Sequence, residues 1–141
     1  MRIKALITVS MMLLSTLGCK NSFAQEKFSE AKVKGMLKDF YTRYIIENST
    51  FPVNQKKRDS IEHRYCTQNV FNQFEGDIEY DIFLRSQMVD TMILKTMTFR
   101  KDSAKDNLYY VSYTYNKDHV TIKLLIAKEK DEYKIDVVYK D

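Results

Sequence analysis

The 141-residue chain predicts an α+β domain, with helices first and an antiparallel sheet after them. Two periodicities carry this prediction. Apolar residues between Ser29 and Phe74 recur at spacings of three and four, the signature of amphipathic helices. From Met92 onward the period changes to two, the signature of strands with one apolar face. A third observation sets the strand direction. The connections in the second half are only a few residues long, which suits antiparallel neighbours and excludes crossovers.

The first helix begins at Ser29, a good capping residue, with Phe28 and Val33 in the two positions of a hydrophobic staple. Val33, Met36, Leu37, Phe40, Tyr41, Tyr44 and Ile45 form its stripe. It is predicted to end near Asn48, since Pro52 restricts the residue before it. A second helix starts near Asn54 and carries Ile61 and Tyr65. The apolar phase then slips. Thr67 is the expected cap of a fresh short helix bearing Val70, Phe71 and Phe74, with Gly76 as its stop. Two short helices therefore meet at Cys66–Thr67.

Four strands follow. The first is predicted over 92–100. In the second, Tyr109, Val111, Tyr113 and Tyr115 alternate with Leu108, Tyr110, Ser112 and Thr114. Asn116-Lys117-Asp118 is a turn, and Val120, Ile122, Leu124 and Ile126 form the apolar side of the third strand. Lys130-Asp131-Glu132 is the next turn, after which Tyr133, Ile135, Val137 and Tyr139 are expected to face one way. Each strand has one apolar face, and the helices are the available cover. The tyrosine row at 109, 113 and 115 reads as a core face or as a recognition surface.

The chain's ends bear on location. MRIK, then ALITVSMMLLSTLG, then GCKNSFA have the three parts of a secretory signal over residues 1–24, leaving a single domain over 25–141. The small residues Ser22 and Ala24 predict cleavage before Gln25 and a periplasmic product. The alternative is lipidation at Cys19, which would anchor the protein to the envelope. Neither leaves a transmembrane segment. Residues 1–24 also hold Arg2, Lys4 and Lys20 and no acid, so their removal takes the net charge from +4 to +1. Nucleic acid is thereby not an expected partner. The KKR run at 56–58 reads as a solvated helix start. Cys66 is the one remaining thiol, so internal disulfides and four-cysteine zinc sites are excluded. No metal or other cofactor is expected, and the oligomeric state stays open, a dimer included.

Several passages carry a resemblance: FYTRYI at 40–45, RYCTQNVFNQF at 64–74, YDIF at 80–83 and DEYKIDVV at 131–138. Together they resemble a family of small exported bacterial domains of unknown function, numbered 3828, within the nuclear-transport-factor-two-like (cystatin-like) folds. The family's junction tends to read Asp-Tyr-Asp-Pro-Phe-Leu and then Gln-Asp. Tyr80, Asp81, Phe83, Leu84 and Gln87 match it, whereas Ile82 replaces the proline and Met88 the acid, with Asp90 close by. The resemblance implies a conical domain with one long and two short helices on a curved four-stranded antiparallel sheet. It brings no established activity.

In such a cone the junction would rim the open end. Tyr80 and Phe83 would point inward, with Asp81 and Gln87 as the polar groups that orient a ligand. Tyr44, Phe40 and Tyr41 of the long helix and the sheet tyrosines would complete an aromatic lining. Three readings of Asp81 stay open. It caps a turn beside a core plug of Phe83 and Leu84. It lines a binding pocket. Or it acts as a base beside a phenol, as the resemblance to isomerase- and dehydratase-bearing relatives implies. Elsewhere chemistry is sparse. His63 and His119 share no zinc spacing, a His63–Cys66 nucleophile lacks an orienting group, and no Gly-rich phosphate loop exists. The expectation is an exported, non-enzymatic binding module for a small, mostly apolar molecule or another envelope protein, with a small enzyme using Asp81 as the alternative.

Overall fold

The computed structural model describes residues 27–74 and 80–140. The signal segment, Cys19 and the Gly76 helix stop lie outside the described residues. Helix α1 spans Glu30–Asn48, α2 Gln55–Tyr65 and α3 Gln68–Gln73. A 3-10 helix at Thr91–Lys95 leads into β1 (Thr98–Lys101), β2 (Leu108–Tyr115), β3 (Asp118–Glu129) and β4 (Glu132–Val138). The strands form one antiparallel sheet in the order β1-β2-β3-β4, with the three helices packed against it. The fold is α+β, helices before strands.

The caps explain the helix boundaries. The Ser29 side chain accepts from the Lys32 N–H, and Asn54 accepts from Lys57 at the start of α2. Thr67 occupies the N-cap position of α3 but makes no capping bond. Its hydroxyl instead donates to Asp136 Oδ1 at 2.6 Å, and its N–H donates to the Ile135 carbonyl at 2.9 Å. A tertiary contact has replaced the local one.

The β2–β3 and β3–β4 hairpins each turn on two residues in the left-handed region. These are Asn116 (φ 51°) with Lys117 (φ 72°), and Lys130 (φ 47°) with Asp131 (φ 70°). Successive positive φ values give the backbone the twist that tight hairpins favour.

Two strand expectations change. The predicted first strand over 92–100 is split: Asp90 caps a 3-10 turn through the Met92 N–H at 2.8 Å, and only Thr98–Lys101 pairs with β2. In β4, Ile135 and Val138 are buried, whereas Val137 is not. The cause is a bulge. Ile126 opposes Ile135 while Leu125 opposes Val137, so Asp136 is an extra residue that flips the parity after it. Asp136 is held there by Thr67, and the Asn69 side chain donates to its carbonyl at 3.1 Å.

One apolar cluster joins the layers. Val33, Leu37, Phe40, Tyr41, Tyr44 and Ile45 of α1 are buried together with Val111, Tyr113, Ile122, Leu124, Ile126 and Ile135 of the sheet. Tyr109 and Tyr113 are fully buried, so that part of the tyrosine row is core and not a recognition surface. A buried ring of this kind contributes on the order of 1.5–3 kcal/mol. The bulge contact gives a direct test. Thr67→Val keeps the shape and removes the donor, so it should cost about 1–3 kcal/mol in urea unfolding, while Thr67→Ser should retain most of the stability. Equal stability of Thr67→Val and the parent would show that the Asp136 contact is dispensable.

Candidate functional site

The junction between helices and sheet is a closed small loop. The Asp81 N–H donates to the Ser86 carbonyl at 3.0 Å, and Arg85 takes the left-handed conformation (φ 50°) that reverses the chain between them. The Asp81 carboxylate fixes the interior of this loop. Its Oδ1 accepts from the N–H groups of Phe83 (2.9 Å) and Leu84 (3.0 Å), and its Oδ2 accepts from the Tyr44 hydroxyl at 2.6 Å. Asp81 is thus a turn-former tied to α1. Desolvation raises its pKa from the usual range, while the Tyr44 and backbone donors oppose that rise.

The turn delivers Phe83 and Leu84 into the core. The Phe83 ring meets Phe40 at 5.0 Å and Tyr44 at 5.2 Å, both edge to face. The Tyr113 hydroxyl donates to the Leu84 carbonyl, and Arg85 donates to the Tyr139 carbonyl at 2.8 Å. The plug reading of Phe83 and Leu84 is therefore correct as geometry. It does not close the space beside it.

Between the end of α1, α2, α3 and this loop lies an open cleft of about 700 Å³. Tyr44, Tyr80, Asp81, Phe83 and Gln87 all line it. Tyr80 sits half-exposed on the rim instead of pointing inward, and Gln87 is also exposed there. The cleft differs from the expected one in its other walls. Phe40, Tyr41 and the sheet tyrosines are absent from the described lining, because they are consumed in the core. Val70 and Phe71 of α3 and its C-cap residue Phe74 take their place, together with Arg58 and Glu62 of α2. The lining is consequently more charged than the sequence suggested.

Glu62 is the residue that sequence reading missed. Its side chain is 17% exposed and its carboxyl is pushed up to about 7, chiefly by desolvation, with Asp59 and Asp81 adding repulsion and Arg58 opposing. Arg58 lies one turn away, with Nε 3.4 Å from Glu62 Oε1. That distance counts as an ion pair, yet Nε is buried without an aligned hydrogen bond. The pairing is electrostatic and leaves directional capacity unused. Arg58 thus turns into the cleft, which corrects its reading as part of a solvated basic helix start. The i,i+4 spacing of Arg58 and Glu62 was the available signal, but the same spacing occurs on countless exposed helices.

The other candidates separate. His63 is exposed and stacks on Phe71 at 4.5 Å, while Cys66 is buried and its thiol pKa is raised by desolvation, the reverse of an activated nucleophile. His119 is exposed at the start of β3. Among the described residues no three acids, histidines or cysteines cluster as metal ligands, and no helix is long and apolar enough to cross a membrane.

The Glu62 carboxyl predicts a pH dependence with a definite sign. Between its ordinary 4.5 and about 7, the folded state keeps a proton that the unfolded chain has released. Stability should therefore fall as pH rises through this window, with the full penalty present above 7. Asp81, also raised by desolvation, adds a slope of the same sign above its ordinary 3.8. Glu62→Gln should flatten the window and stabilise the protein above pH 7 by about 1–3 kcal/mol. Unfolding free energies measured across the window check this, and an unchanged slope in the variant would refute it.

No protein-family model matches the chain, and no curated protein does either. A crystal structure of a protein of unknown function from Bacteroides thetaiotaomicron is similar, with a TM-score of 0.71 and 25% sequence identity. The match covers 79% of this chain and 91% of that one. The fold is thus shared with a solved bacterial protein of unknown function.

Proposed function

We propose that this is an exported, non-enzymatic binding module whose ligand is a small molecule held in the cleft between α1, α2, α3 and the junction loop. One observation carries the reading: the five junction and helix residues Tyr44, Tyr80, Asp81, Phe83 and Gln87 converge on a single concave site of about 700 Å³. That volume lies within the range of small-molecule sites, and its walls mix rings with a few polar groups. A concave site suits a small molecule better than the flat face of another envelope protein. The finer membership in the exported family numbered 3828, with its nuclear-transport-factor-two-like fold, belongs to the same proposal and rests on the sequence passages that resemble it.

An enzymatic reading has one observation in its favour, a carboxyl poised near neutrality beside an open cleft. On this geometry the base would be Glu62 and not Asp81. The Asp81 oxygens already accept three hydrogen bonds, and the Tyr44 proton is committed to Asp81 instead of to a substrate oxyanion. Among the described lining residues no second activating group accompanies Glu62, and binding is the better reading.

The test uses rim residues, because Phe83 is core and its truncation would confound folding with binding. The protein is incubated with the small-molecule fraction of an envelope extract, re-isolated and examined by native mass spectrometry. A discrete adduct is expected, with several-fold lower occupancy in Tyr80→Ala at unchanged melting temperature. Absence of an adduct, or one indifferent to Tyr80→Ala, would sink the proposal. Export is tested independently by the mass of the mature N-terminus. Cleavage before Gln25 is expected, whereas a diacylated Cys19 would replace the soluble periplasmic form with a lipid-anchored one.

A further inference from the structure

The cleft's charges are unbalanced. Among its described lining residues Arg58 is the sole cation, while Glu62 and Asp81 are both acids. Arg58 does not neutralise both. It lies on the same helix as Glu62 and reaches that carboxylate only at 3.4 Å, without a directed hydrogen bond. Asp81 is held by neutral donors, two backbone N–H groups and the Tyr44 hydroxyl. Neutral donors orient a carboxylate but leave its negative charge in place.

The apolar part of the lining adds to the same field. Tyr44, Phe71, Phe74, Tyr80 and Phe83 contribute rings to the cleft. A ring face is the negative end of its quadrupole and attracts cations. The chain already uses one of these rings in this way: Lys140 Nζ lies 5.1 Å from the centre of Phe74. An anionic ligand would meet two carboxylates and a single guanidinium, whose Nε already lies 3.4 Å from one of them. A neutral ligand would leave the charge imbalance as it is.

We propose that the cleft takes a small organic cation, an ammonium group carried on an apolar or aromatic body, with Glu62 as the principal countercharge and the rings packing the body; the assignment rests on the cleft being a ligand site at all. Glu62 is the group to test because Asp81 also holds the junction loop, whereas among the described residues no hydrogen bond holds the Glu62 carboxylate in place.

Three probes of one shape separate the charge classes: phenethylammonium, 2-phenylethanol and 3-phenylpropionate, titrated calorimetrically into the purified protein above the Glu62 pKa of about 7. Phenethylammonium should bind about tenfold more tightly than the alcohol, and the carboxylate more weakly than either. Glu62→Gln should lower the ammonium affinity about tenfold and leave that of the alcohol within about twofold, which a merely misfolded cleft would not do. If the alcohol or carboxylate binds as tightly as the ammonium, the cation assignment fails while the cleft survives as a ligand site. An ammonium preference unchanged in Glu62→Gln also overturns it. Binding by none of the three overturns it as well, and the extract adduct then decides separately whether the cleft holds any ligand.

Discussion

One carboxylate does two jobs on which the shape of the domain depends. Asp81 closes the turn through Phe83 and Leu84 with one oxygen and holds Tyr44 of α1 with the other. The turn alone would be a surface feature. Tied to α1, it becomes a wedge whose Phe83 ring is gripped by Phe40 and Tyr44 and whose Leu84 carbonyl accepts the Tyr113 hydroxyl of β2. The helical layer, the junction and the sheet are thereby locked to one another through contacts within a few ångströms. The cost is a charge moved out of water, visible in the raised pKa of Asp81.

The cleft is the other side of that arrangement. The junction residues that enter the core leave Tyr80, Ser86 and Gln87 outside it, and the break between α2 and α3 sets two helices at the opposite wall. A continuous helix through Cys66 and Thr67 would carry its apolar phase along one face. The break lets Tyr65 and Val70 both be buried, while Arg58 and Glu62 are turned toward the gap. The buried hydroxyls of Tyr41 and Tyr109, which lack partners among the described residues, show that packing was not bought with complete polar satisfaction.

Much of this architecture was legible in the chain because local and tertiary forces agree there. Helix α1 has a cap, a seven-residue apolar stripe and a cover to pack against, and its bounds fall where the caps place them. The hairpins β2–β3 and β3–β4 turn where polar residues interrupt alternation. Legibility fails where a distant contact decides. Val137 and Val138 are identical side chains, and only the bulge at Asp136 determines which is buried. Thr67 looks like a cap in sequence, yet Asp136 lies 69 residues away and takes its hydroxyl. Glu62 reads as a solvated acid on a polar helix until α1 and the junction are placed over it. The five junction and helix residues share one cleft, but the sequence could not show that the core would consume the sheet tyrosines.

The same bulge has a consequence for the outer rim of the sheet. β4 stands at one end of the strand order, where an unpaired row of backbone groups would ordinarily invite another chain to add a strand. Here the Thr67 N–H occupies the Ile135 carbonyl, the Asn69 side chain occupies the Asp136 carbonyl, and the Gln73 side chain takes the Val138 N–H at 3.3 Å. The opposite rim is the four-residue β1, which carries Arg100 and Lys101. A protein so rich in alternating tyrosine, valine and isoleucine is a natural candidate for cross-β aggregation. Helix α3 acts as a cover on its longer free edge and leaves little backbone there to template a fibril.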